Sequence, residues 1–202
     1  MGLLLGKVNY LTDYIPVLET IKKINELDKP IILAIDGRCG SGKSGLAEML
    51  KQEVDSNVFH MDDFFLPFDM KTKERLTKPG ENVHYERFNK EVLTPLLQGK
   101  KVIHQPYNCQ IREFDQPIHT EPKKLTIVEG SYCMHPSLQP FYDIKIFMTI
   151  NKEIQLERIR KRNGEERLQD FNNKWIPMEE LYFSELNIED KCDFTIDTSN
   201  IW

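Results

Sequence analysis

The 202-residue sequence predicts an α/β fold, a parallel sheet covered by helices on both faces, and three observations carry that prediction. Short apolar runs rich in β-branched residues recur along the chain, as strands buried on both faces require. Helical periodicities fill the intervals between them, the alternation expected of βαβ units. A glycine-rich turn, Gly37-Arg38-Cys39-Gly40-Ser41-Gly42-Lys43-Ser44, joins one such run directly to a helix.

Asp13 to Asp28 carries Ile15, Leu18, Ile21, Ile24 and Leu27 at helical spacing, and Pro30 ends that helix. Ile31 to Ile35 is then a continuous apolar strand, and Lys43 to Glu53 the helix beyond the turn. Further strands are predicted at Asn57 to Met61, Leu125 to Val128, Ile144 to Ile150 and Phe194 to Ile196. Helices are predicted at Tyr85 to Leu97, Lys152 to Arg162 and Phe171 to Ile188. Residues 100–122 fit this alternation poorly. There Val102, Tyr107, Ile111 and Ile118 stand among Pro106 and Pro117, the pattern of a hairpin or irregular insert. No repeat and no Ser/Gly-rich linker divides the sequence, so residues 1–202 are expected to form one domain.

Composition narrows the function. Apolar residues at 40% and charged residues at 29% describe a globular chain, and a net charge of −5 gives no support for whole-surface attraction to nucleic acid or an anionic membrane. Any phosphate must be held by a local cluster of donors. Cys39, Cys109, Cys133 and Cys192 form no close pair, which reads as reduced thiols and a cytoplasmic protein. Lys7 and Asn9 cut the apolar opening Met1 to Gly6 short of a signal peptide, and no stretch reaches the ~20 apolar residues of a membrane span. A soluble protein without nucleic-acid or membrane partners is expected; a homo-oligomer is compatible with the sequence.

The glycine-rich turn matches G-x-x-x-x-G-K-[ST] without a gap, after a predicted strand and before a predicted helix. That is the phosphate-binding P-loop, so the expected fold is a P-loop NTPase. Gly37, Arg38, Cys39, Gly40, Ser41 and Gly42 would wrap backbone N–H groups around phosphates. Lys43 would bridge the β- and γ-phosphates of ATP, and the Ser44 hydroxyl would ligate Mg²⁺. A GTPase is disfavoured, because the nearest guanine-reading candidate, Asn151-Lys152-Glu153-Ile154, lacks the final Asp.

Asp62 and Asp63 follow the second predicted strand, where ligands of open α/β sheets sit, and either could accept the proton of an attacking hydroxyl. Phe64, Phe65 and Phe68 could stack on an acceptor or simply pack. Glu129 ends a buried strand, the place for a carboxylate that acts on Mg²⁺ directly or through water. Arg158, Arg160, Arg162 and Arg167 crowd a helix end and the Asn163-Gly164 break. A solvated face with Glu157, Glu165 and Glu166 is one reading; a short arginine-rich lid over residues 158–170 is the other, with Arg162 and Arg167 stabilising the transferred charge.

These motifs together resemble the uridine kinase family of P-loop kinases from about Ile31 to Ile196. The resemblance implies transfer of the γ-phosphoryl group of ATP to a hydroxyl of a small molecule. It assigns the catalytic aspartate to Asp62, the strand-terminal glutamate to Glu129, and the lid arginines to Arg158, Arg162 and Arg167. On the acceptor side it points to Phe65, His84, Tyr107 and Arg112. Val83 or His84 falls where the family carries a ribose-holding aspartate, and Arg112 where it carries a histidine. Arg112 would suit an acidic or phosphorylated acceptor, or a structural ion pair. The expected function is a nucleoside kinase; the alternatives are a kinase for a vitamin or sugar precursor such as pantothenate or nicotinamide riboside, and a nucleotide-dependent ATPase or switch subunit.

Overall fold

The structure, a computed structural model, describes residues 9–11, 14–25 and 29–201. Asp13, Leu27 and Asp28 of the first expected helix, and the apolar opening Met1 to Gly6, lie outside the described residues.

The chain runs through β1 (Asn9–Leu11), α1 (Ile15–Asn25), β2 (Ile31–Gly37), α2 (Lys43–Glu53) and β3 (Ser56–His60). Helix α3 spans 85–97, and four short strands follow: β4 (Val102–His104), β5 (Tyr107–Asn108), β6 (Glu113–Phe114) and β7 (Ile118–Thr120). Then come β8 (Leu125–Glu129), β9 (Ile144–Thr149), α4 (Lys152–Asn163), α5 (Glu165–Asp170), α6 (Ile176–Glu185) and β10 (Phe194–Asp197).

The central sheet has the order β1-β10-β9-β2-β8-β3, and every pairing is parallel. All seven residues of β2 are buried. Its alternate side chains feed two cores: Ile32 and Ala34 pack with Phe59, Phe64, Val128 and Phe147, whereas Leu33 and Ile35 pack with Leu46, Leu50, Ile127 and Ile146. A strand covered on both faces has no polar side to show, which explains the unbroken apolar run. From β2 the chain moves to β3 on one side, and from β8 it crosses to β9 on the other. The connections therefore diverge at the carboxyl end of β2 and open a crevice there.

The insert at 100–122 is two small antiparallel ladders, β4 with β7 and β5 with β6. Two helices depart from the plain α pattern for one shared reason. Each contains a π turn, Asn89–Leu93 in α3 and Phe171–Trp175 between α5 and α6. Pro95 and Pro177 lie just beyond these turns and lack the N–H that would bond the carbonyl four residues back. The chain widens instead, and Thr94 and Ile176 donate five residues back, to Asn89 and Phe171. Residues 165–185 are thereby one continuous helical rod.

Candidate active site

The P-loop lies at the carboxyl end of β2 and ends at α2. Gly37 must be glycine: its φ is 134°, and a Cβ would collide with the Met148 backbone of β9. Gly42, at φ 94°, caps α2 in the left-handed conformation. Lys43 is buried and its Nζ donates to the carbonyls of Gly37 and Arg38, at 2.8 and 3.1 Å, so the ammonium is held over the loop. Ser41 Oγ is buried without a protein partner, a polar atom left over inside the cradle. A groove of about 490 Å³ opens beside the loop, lined by Gly40, Gly42, Gly45, Arg158, Lys161 and Arg162 among others.

The loop is also gripped from behind. Buried Glu179 accepts the Cys39 N–H at 2.9 Å and the Ser131 hydroxyl at 2.6 Å. Buried Asp36 accepts from the Gly37 and Met134 N–H groups and from the Tyr182 hydroxyl, at 2.7, 2.8 and 2.8 Å. Burial pushes the Asp36 carboxyl up to about 6 against the pull of these donors and of Lys43. The Cys39 carbonyl accepts from Gln155, and burial pushes the Cys39 thiol far up, leaving it inert.

Arg38 ties the loop to its scaffold. Its guanidinium takes both carboxylate oxygens of Glu180, at 2.7 and 2.9 Å, and the Thr149 hydroxyl at 2.7 Å, while lying over Phe147 and Phe183. The side chain is spent on scaffold, and its backbone N–H is spent as well, donating to the Met148 carbonyl of β9 at 3.0 Å.

On the opposite wall, Glu129 is buried at the end of β8. Its Oε1 accepts from Ser44 Oγ at 3.1 Å and meets His60 Nδ1 at 2.5 Å, which raises the imidazole above its ordinary value. Ser44 and Glu129 are the hard oxygen pair suited to Mg²⁺. Among the described residues no three His, Cys, Asp or Glu side chains converge on one point. This suits an ion that takes one or two protein oxygens and completes its shell with phosphate and water, so the residues present fit Mg²⁺.

The two adjacent acids separate. Asp63 lies 3.7 Å from the buried His104 of β4, and its carbonyl accepts from Arg87 at 2.7 Å, so it faces the insert. Asp62, in the turn after β3, is exposed as a residue, yet burial of its carboxyl raises the pKa; Lys43 opposes this, while Glu129, Glu179 and Asp63 add to it.

The arginines separate as well. Arg158 reaches the Gly40 carbonyl at 3.4 Å and the Thr198 carbonyl at 2.7 Å. Arg162 lines the groove and donates to Asn163 Oδ1 at 2.7 Å. Arg167 is exposed on α5, its nearest acid Asp170 at 4.0 Å, and does not line the groove. Arg160 is a surface residue paired with Glu165.

Toward the insert, the Tyr107 hydroxyl accepts the Phe68 N–H at 3.2 Å, and Arg112 stacks on the Phe68 ring at 4.2 Å with φ 60°. Phe65 is half-buried and bridges to Val83, whose side chain is fully inside the core. His84 is largely buried with Nδ1 unpartnered, and burial lowers its pKa. Sequence reasoning missed Asp36, Glu179, Glu180 and Tyr182. Only Asp36 left a signal, an acid inside an otherwise apolar strand.

The fold has counterparts among solved structures. A Bacillus stearothermophilus protein described as a possible uridine kinase superposes with a TM-score of 0.68, covering 90% of this chain and 95% of that one at 19% identity. A Silicibacter protein provisionally described as a fructose transport system kinase also gives 0.68, over 89% and 97%, at 18% identity. The fold is that of the P-loop kinases. No protein-family model matches the chain. In sequence the chain is uridine kinase-like: it is 28% identical over 157 residues to the uridine kinase of Oceanobacillus iheyensis, 69% of this chain and 70% of that protein. These relatives support a nucleotide-binding phosphotransferase. No helix among the described residues is long and apolar enough to cross a membrane.

Proposed function

We propose that the protein transfers the γ-phosphoryl group of ATP to a hydroxyl of a small molecule, a nucleoside first among the acceptors. The observation that carries this reading is that Asp62, after β3, lies close enough to the P-loop Lys43 to feel its charge. In the proposed reaction the acceptor oxygen attacks the γ-phosphorus, its proton passes to Asp62, and the bond to the β-phosphate breaks. Lys43 and the loop N–H groups not already spent on Asp36, Glu179, Met148 and Arg38 hold the phosphates. Arg158 sits against the loop and Arg162 lines the groove, placed to meet charge that develops during transfer. Mg²⁺, held by Ser44 and Glu129, would neutralise phosphate charge. Residues 158–170 act as the lid of a single domain, and Arg167 enters the site only on closure. Phe65, His84, Tyr107 and Arg112 border the acceptor, and the protein works in the cytoplasm without nucleic acid or membrane.

One observation favours a second acceptor class. Val83 is sealed in the core and offers no carboxylate for a ribose, so a sugar or vitamin precursor is the runner-up. The deciding experiment measures ATP consumption by the purified protein with and without a panel of nucleosides, sugars and vitamin precursors. Turnover that depends on one acceptor supports the kinase; hydrolysis indifferent to all of them refutes it in favour of an ATPase.

A further inference from the structure

We propose that Tyr132 is a catalytic residue whose phenol O–H donates a hydrogen bond to the transferring phosphoryl group; this rests on the kinase reading above. Tyr132 stands three residues after Glu129 and adopts φ 73°, the left-handed region that a residue with a large ring seldom occupies. Its surroundings hold it there. Gly130 before it, at φ 130°, lies so close to Met61 that a Cβ would not fit. After it, the Met134 N–H is fixed by Asp36 at 2.8 Å. The Tyr132 ring packs edge-on against Tyr182, with centroids 5.0 Å apart.

The two tyrosines differ in one respect. Tyr182 spends its hydroxyl on Asp36, whereas the Tyr132 hydroxyl bonds to no described residue. Tyr132 is buried in the core, yet its hydroxyl is absent from the sealed unpartnered atoms, so it is not wholly closed off from solvent. Burial, and then the charges of Glu179, Asp36, Cys39 and Asp62, push its pKa upward, so the phenol keeps its proton. Two of those neighbours mark the reaction path, since Cys39 belongs to the phosphate loop and Asp62 is the proposed base. A neutral O–H near both is a donor available to the negative charge that grows on the phosphoryl oxygens. In the transfer the acceptor oxygen bonds to phosphorus, its proton goes to Asp62, and the β–γ bridging bond leaves with its electron pair on ADP. Tyr132 exchanges no proton. Strained backbone that fixes a free donor beside a reacting group is the use to which such strain is put.

Tyr132→Phe keeps the ring and removes only the hydroxyl. The expected result is a ~10²-fold fall in kcat, with Tm and ATP affinity near wild type, as for loss of one transition-state donor. Affinity for ADP with aluminium fluoride, a planar phosphoryl mimic, should fall with kcat while affinity for ADP alone holds. Unchanged kcat would reduce Tyr132 to packing, and a loss of ATP affinity equal to the loss of kcat would make it a support of the phosphate loop; either overturns the proposal. If wild type hydrolyses ATP without any acceptor, the kinase reading fails separately. Tyr132→Phe must then slow that hydrolysis by a similar factor, or the proposal fails too.

Discussion

Glu180 holds Arg38 by both carboxylate oxygens, so helix α6 grips the phosphate loop by a side chain that the loop itself supplies. Planar fork-to-fork pairs are stronger than point contacts, and the guanidinium also lies on two aromatic rings. With Arg38 and Glu180 both partly solvated, Arg38→Ala should cost about 1–2 kcal/mol in denaturant unfolding and weaken ATP binding. Arg38→Lys should recover little of either, because a point charge cannot span both oxygens. Full recovery by Lys would mean that charge alone matters at this position.

Asp62→Asn should lower turnover by ~10²–10⁴ while ATP affinity stays near wild type, the signature of a lost general base. Asp63→Asn should leave turnover largely intact and act on stability through His104. Single-turnover kinetics on both variants separates the two acids, and the reverse pattern would reassign the base.

Two buried groups should pull stability in opposite directions with pH. Asp36 is raised to about 6 when folded, so the folded protein binds the extra proton and this group's contribution falls as pH rises from about 4 to 6. His135, stacked on Tyr85, is lowered to about 4 by burial, so there the unfolded chain binds the extra proton and stability rises with pH through the same window. Each slope is at most about 1.4 kcal/mol per pH unit, and in wild type they largely offset. Urea unfolding between pH 4 and 6.5 should show a rising slope in Asp36→Asn and a falling slope in His135→Asn. Parallel profiles for the two variants would contradict both assignments.

Arg162→Ala should lower turnover by up to ~10³–10⁵ with little change in ATP affinity, and Lys should rescue it only partly. Arg167→Ala tests closure: it should slow turnover without touching ATP affinity, although the residue lies outside the groove. Equal losses of affinity and turnover in Arg162→Ala would indicate ground-state binding.

Much of the fold was legible because its signals are local. The unbroken apolar run at β2 and the spacing of Gly37, Gly42, Lys43 and Ser44 needed only neighbouring residues, and the helix limits of α2 followed directly. Asp62 and Asp63 could not be separated by sequence, since the choice depends on His104 and Arg87, far along the chain. The role of the Arg38 side chain was out of reach for the same reason: its partner Glu180 lies 142 residues away. The π turns were hidden because the pattern of 85–97 is helical in either form, and only the missing N–H of Pro95 or Pro177 distinguishes them.

The wide turn at Phe171–Trp175 sets a phase along the rod. Each residue advances a helix by about 100°, so one extra residue in that turn rotates everything after it by that angle relative to a uniform helix. Glu179, Glu180 and Tyr182 meet the phosphate loop, while Arg167 at the rod's other end is aimed outward. Pro177 therefore acts as a dial between the two ends, and shortening the turn by one residue would keep a helix yet aim the arginine elsewhere.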